Sequence, residues 1–208
     1  MVKVTGPMMS MAASGALANT IVFASWKGRP YVRERVIPSN PKSDPQTGRR
    51  AMFKFLSQAW SSIAAGNQAQ FQDLADQIVA SPFNAYLRYN LQAWHNFLPP
   101  TDEMPPAKIG TPTDNALDSA AWEENRIKLE ISGSMENDKW GIVIFAKLAG
   151  AVTPAVGNTI LVLPDTTVVT HYEYWTPPET GDWHFNSRTF ADDGVMAAAG
   201  GAQNSGAP

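Results

Sequence analysis

Apolar and polar positions follow three different rhythms along this chain, and each predicts a different kind of element. Residues 20–25 and 31–37 are rich in β-branched and aromatic side chains, and Trp26-Lys27-Gly28-Arg29 between them carries a turn glycine. This is the pattern of a β-hairpin. From there the spacing lengthens. Phe53, Leu56, Trp60 and Ile63 fall three or four apart, which predicts a helix capped by Ser43 or Asp44, with Pro45 in its first turn and a stop at Gly66. A second helix is expected from Asn67 with Phe71, Leu74, Ala75 and Ile78 inward. A third is expected from Ser81-Pro82 with Phe83, Leu87, Leu91 and Trp94 aligned.

Past Leu98 the rhythm changes to two. Pro99-Pro100 and Pro105-Pro106 stop the preceding helix and suit neither a helix nor a sheet interior, so residues 99–113 read as a linker. Ile127, Leu129 and Ile131 then alternate with charged residues, and residues 140–148 form a nearly continuous apolar run. Residues 159–163, 166–174 and 183–190 add three more strands between Gly, Pro and Asp turns. That spacing predicts an immunoglobulin-like β-sandwich over 114–196, with Trp140 as its core anchor. The expected fold class is α+β. It comprises an arm (1–19), a hairpin with a small helical cluster forming an assembly module (20–98), the linker, the sandwich, and a flexible Ala/Gly-rich tail (197–208).

Composition narrows the function. Hydrophobic residues make up 44% and charged residues 17%, so a packed core is expected. The absence of cysteine excludes disulfides, thiolate metal sites and cysteine nucleophiles. No apolar run is long enough to span a membrane. Residues 8–17 after Lys3, with Ala16-Leu17-Ala18, loosely imitate a signal peptide but lack a strong apolar centre, and read as an arm. Net charge is −3 but unevenly spread: residues 1–100 hold ten Lys/Arg against four Asp/Glu (+6), and residues 101–208 hold six against fifteen (−9). Such polarity favours contact between the basic part of one subunit and the acidic part of another.

The densest chemistry is a basic run, Lys27, Arg29, Arg33, Arg35, Lys42, Arg49, Arg50 and Lys54, opposed only by Glu34 and Asp44. With Trp26 and Tyr31 it forms a candidate interface. Arginine forks on a neighbour's carboxylates are preferred over a nucleic-acid backbone, since nucleic-acid-binding domains usually have a pI above roughly 9 and this chain has a pI near 5.6. His171 and His184, near Glu173 and Asp182, would make only a weak metal site, and Asp192-Asp193-Gly194 with Asp165 reads as turn chemistry before calcium ligation. The aromatic cluster Tyr172, Tyr174, Trp175, Trp183 and His184 invites a sugar-binding reading, with Trp175 beside Thr176-Pro177-Pro178 the residue expected at the surface. No nucleophile elbow, zincin, P-loop or dinucleotide fingerprint occurs, so neither enzyme activity nor a cofactor is expected.

Two stretches resemble known families. Residues 183–194, Trp-His-Phe-Asn-Ser-Arg-Thr-Phe-Ala-Asp-Asp-Gly, are similar to the late strand and following turn of fibronectin type III domains, with Trp183 where that family usually has tyrosine. Residues 14–23 (Ser-Gly-Ala-Leu-Ala-Asn-Thr-Ile-Val-Phe), Trp26-Lys27-Gly28-Arg29, Tyr31-Val32-Arg33, Asn40-Pro41-Lys42 and Phe83-Asn84-Ala85-Tyr86 resemble the opening of a group of proteins encoded by tailed bacteriophages and prophages. The resemblance covers about the first hundred residues and implies a virion role. The expectation is a capsid decoration or cement protein, or a related minor component, binding other virion subunits and copies of itself. A nucleic-acid-binding protein and a tail-associated glycan adhesin are the alternatives.

Overall fold

The computed structural model describes residues 15–17, 20–27, 29–37, 43–109, 112, 116–132, 140–164, 170–198, 200–206 and 208. The chain divides into two compact units, Met1–Pro41 and Lys42–Pro208. The first contains an antiparallel sheet of β1 (Gly15–Leu17), β2 (Ile21–Trp26) and β3 (Arg29–Glu34) in that order. The expected hairpin is therefore present, but Gly15–Leu17, assigned to the arm, supplies a third strand along β2. The rest of the arm lies outside the described residues. β2 and β3 pair from Ile21↔Glu34 to Trp26↔Arg29, leaving a two-residue turn in which Lys27 takes φ 49°, the left-handed twist that tight hairpins require.

The second unit is a three-layer α+β body. Its helices are α1 (Asp44–Ala59), α2 (Ala65–Gln70), α3 (Gln72–Ile78) and α4 (Pro82–His95). Pro45 and Pro82 sit in the first turns where their missing N–H costs nothing, and Ser81 Oγ accepts from Asn84 N at 3.3 Å to cap α4. The strands are β4 (Ala116–Glu123), β5 (Arg126–Ser132), β6 (Gly141–Leu148), β7 (Thr159–Pro164), β8 (Thr170–Trp175), β9 (Trp183–Phe190) and β10 (Gln203–Asn204). They form two sheets, β4-β5-β8 and β10-β9-β6-β7, an immunoglobulin-like sandwich with crossed connections.

Two cores share one sheet. Between the sheets, Ile127, Leu129 and Ile131 meet Ile142, Ile144 and Phe185. On the other side of the four-stranded sheet, Met52, Phe55, Leu56, Phe71 and Trp94 from the helices pack on Val143, Phe145, Val162 and Phe190. β6 is buried on both faces, which is why its sequence runs apolar without alternation. Each fully buried large side chain contributes roughly 1.5–3 kcal/mol. The helices thus belong with the sandwich and not with the hairpin, contrary to the expected division at residues 98–99. Close approach is enforced at Gly48 on α1, where a Cβ would lie 2.2 Å from the Val156 carbonyl oxygen.

Three further expectations change. Trp140 is half-buried in the helical core, edge-on to Phe55 at 5.1 Å, and does not anchor the sandwich interior. Segment 99–109 is not a free linker. Buried Asn90 takes the N–H of Thr101 on Oδ1 (2.7 Å) and donates Nδ2 to its carbonyl (3.0 Å), while Asp102 N and Lys108 N bond the carbonyls of Asp192 and Asp193. The Ala/Gly tail is the seventh strand of the sandwich: Ala197 N, Gly200 N and Ser205 N donate to Thr189, Ser187 and Trp183, and Trp122 Nε1 donates to Gly206 O at 3.1 Å. Ladder bonds need no side chains, so poverty in side chains does not free a segment.

Candidate functional site

The basic run is divided between the two units. In the first, alternation along β3 and pairing with β2 place Tyr31 and Arg33 on one face with Ala24 and Val22, and put Val32 and Glu34 on the other with Phe23 and Ile21. Both faces carry apolar side chains. None of the described side chains of residues 20–37 is buried: Tyr31 is 41% exposed, Val32 59%, Val36 73% and Ile37 78%. Lys27 occupies the turn, and Arg35 N extends the pairing through a 2.7 Å bond to Thr20 O. Trp26 and Arg29 are paired in backbone register at the turn, and their side chains lie outside the described ones. Among the described residues β3 is an edge strand, open on the side away from β2.

Arg49 and Arg50 lie in the second unit. They flank a groove of about 1000 Å³ between the first half of α1 and the second half of α4. Pro45 and Phe53 contribute from α1, and Arg88, Leu91 and His95 from α4. Arg49 Nη2 stands 2.7 Å from His95 Nδ1. A guanidinium only donates, so Nδ1 accepts and the imidazole proton sits on Nε2. None of the described residues lining the groove is acidic. Phe53, expected in the core, is 48% exposed here because α1 turns Met52 and Phe55 inward instead. Arg88 and His95 were not singled out by the sequence as partners of Arg49 and Arg50. Their spacing of seven, two helical turns on one face with Leu91 between, was the available signal.

The remaining candidates resolve differently. Trp175 does not stand free at a loop: it is half-buried, edge-on to Trp183 at 4.9 Å and to Phe185 at 5.9 Å. The exposed aromatics are Tyr172 and Tyr174, and their rings are covered by Lys128 Nζ at 4.4 Å and the Arg126 guanidinium at 5.2 Å. His171 bonds Glu173 (2.9 Å) on β8, whereas His184 meets Asp182 (3.4 Å) beside β9 in the other sheet, so the two pairs do not share a sheet. Among the described residues no group of three or more His, Asp or Glu is arranged to hold a metal ion. Asp193 serves the turn, with Oδ1 accepting from Val195 N and Oδ2 from Ile109 N. Asp165 lies outside the described residues.

Asp102 and Asp192 are brought together where 99–109 meets the end of β9. Burial first, then the charges of Asp192 and Glu103, hold the Asp102 carboxyl above its ordinary range, against a hydrogen bond from Asn67 that lowers it. Asp192 is raised likewise, by burial first and then by Asp193 and Glu103. The phenol of buried Tyr86 is pushed up by burial and by the charge of Asp102.

No helix among the described residues is long and apolar enough to cross a membrane. No protein-family model and no curated protein sequence matches the chain.

Proposed function

We propose that the chain is a non-catalytic structural protein of a tailed-phage virion, a capsid decoration or cement component or a related minor subunit. It attaches to other virion subunits, and to copies of itself, through the sheet of β1, β2 and β3. The observation that carries this reading is the sheet's lack of any buried side chain among the described residues, despite apolar residues on both faces. A small sheet is stable when a face is covered, and each large apolar side chain left in water forgoes roughly 1.5–3 kcal/mol. A partner covers it. A neighbouring strand adds to the open edge of β3, Tyr31 supplies rigid apolar contact area, and Arg33 and Arg35 meet carboxylates. Residues 14–33, whose order resembles the phage group, coincide with this sheet, which supports the virion setting.

The same unit carries five Lys/Arg against one Asp/Glu in residues 1–41, a net of +4, and this supports a second reading in which the sheet meets nucleic acid. The glycan reading has less support, because Trp175 packs inward and the tyrosine rings already hold cations.

Quantitative mass spectrometry of purified particles tests the proposal. A copy number near that of the major capsid subunit is expected for decoration, a small ring-like number moves the protein to the neck or tail, and absence from particles sinks it. Arg33→Glu with Arg35→Glu is expected to abolish attachment while leaving the circular dichroism of the chain unchanged. DNA binding that weakens steeply with salt and vanishes in that double variant would favour the nucleic-acid reading.

A further inference from the structure

The groove between α1 and α4 belongs to the second unit. We propose that it is a binding site for an acidic peptide: a segment of a partner protein carrying both carboxylate and apolar side chains. Three features specify that chemistry.

The first is charge. Arg49, Arg50 and Arg88 line it from two helices, arginine does not lose its proton in proteins, and none of the described lining residues is acidic. The Arg49–His95 hydrogen bond holds one guanidinium in place while leaving its other N–H groups able to donate. Guanidinium forks match carboxylates with two parallel hydrogen bonds, which gives orientation as well as attraction.

The second is size and polarity. About 1000 Å³ is far more than a lone inorganic anion fills, and the cations are interleaved with Pro45, Phe53 and Leu91. Phe53 presents nearly half its surface to solvent from a helix whose other aromatic, Phe55, is buried. An exposed ring flanked by arginines is the composition of an anchor pocket in protein recognition.

The third is the surrounding field. Residues 42–208 hold eleven Lys/Arg against eighteen Asp/Glu, a net of −7. A polynucleotide, charged at every phosphate, is repelled by a unit of net negative charge more strongly than a short peptide is. A short peptide reaches only the local cations.

Fluorescence polarisation with the full chain and a short fluorescein-labelled peptide of alternating glutamate and leucine tests this. Binding that weakens with salt is expected. Arg88→Glu should weaken it about tenfold or more, the size of a charged hydrogen bond lost and reversed, and Arg49→Gln should weaken it in the same direction. The Arg33→Glu, Arg35→Glu variant should bind the peptide unchanged, so failure of the sheet proposal and failure of this one are told apart. Equal affinity in Arg88→Glu, or no binding at low salt, overturns the proposal. Tighter binding of an oligothymidylate or a nucleoside triphosphate than of the peptide also overturns it. So does concentration-dependent self-association that Arg88→Glu abolishes, because the occupant would then be a second copy.

Discussion

Trp183 donates its indole Nε1–H to the carbonyl of Glu179, four residues upstream, at 3.1 Å. The bond closes the corner between β8 and β9, where immunoglobulin-like sandwiches commonly use a tyrosine hydroxyl to reach back to the backbone. Here tryptophan performs that task, and its ring also packs against Trp175 at 4.9 Å. Trp183→Phe keeps an aromatic ring but removes the donor, and is expected to destabilise by about 1 kcal/mol from the hydrogen bond alone. Urea denaturation read by circular dichroism measures this, and an unchanged midpoint would show that the corner does not depend on the bond.

Asn90 and Thr101 tie α4 to the segment that follows it. Both are buried, and the single amide of Asn90 satisfies both the N–H and the C=O of Thr101. Asn90→Leu leaves two buried backbone groups unpaired, each costing about 1–3 kcal/mol, so a loss of several kcal/mol is expected. Proteolysis between residues 98 and 109 should appear in that variant at protease levels the parent resists. Resistance equal to the parent would mean that the bonds to Asp192 and Asp193 suffice.

These two ties also mark where sequence reading ends. Helix starts at Pro45 and Pro82, the alternation of Ile127, Leu129 and Ile131, and β9 at residues 183–190 follow from local pattern, because caps and single-face burial are written in neighbouring residues. The run through β6 was legible as a strand, but which layers would cover its two faces was not. The union of 99–109 with the body rests on the Asn90 amide, eleven residues from Thr101, and on bonds to Asp192 and Asp193 far along the chain, none of which periodicity reveals. The tail pairs through backbone bonds that Ala and Gly make as well as any residue. Phe53 was misplaced because α1 carries apolar residues on two sides, and the close fit at Gly48 decides which side is buried. The groove was half legible: Arg49 and Arg50 stand out as charges, but Arg88 and His95 join them only through helix packing.

Val79 shows a local choice at odds with its backbone. It ends α3 at φ 52°, ψ 53°, a left-handed conformation that a β-branched side chain disfavours, and it is 95% exposed, so it contributes almost nothing to packing. Val79→Gly removes a Cβ clash worth about 1–2 kcal/mol, offset in part by the greater freedom of glycine in the unfolded chain. A net gain of up to about 1 kcal/mol is expected, read as a higher denaturation midpoint; a lower midpoint would show that the entropy of the unfolded chain outweighs the strain.

The acidic junction gives a pH dependence with a definite sign. Asp102 is held above its ordinary value of 3.8, chiefly by burial and then by Asp192 and Glu103. A carboxyl raised in the folded state binds its proton more tightly there than in the unfolded chain. Its protonated form therefore stabilises the fold fully below 3.8, and that contribution is lost as pH rises through the elevated folded value. Ordinary carboxylates do not behave this way, so the effect is isolated by comparison with a variant. Asp102→Asn removes the charge and keeps an oxygen to accept from Asn67. Its thermal midpoint is expected to exceed that of the parent at neutral pH, with the difference shrinking as pH falls towards 3.8 and vanishing below it. A constant difference across that range would show that the substitution acts through packing, and a lower midpoint at neutral pH would mean that the ionised carboxylate, through its hydrogen bond from Asn67, stabilises the junction.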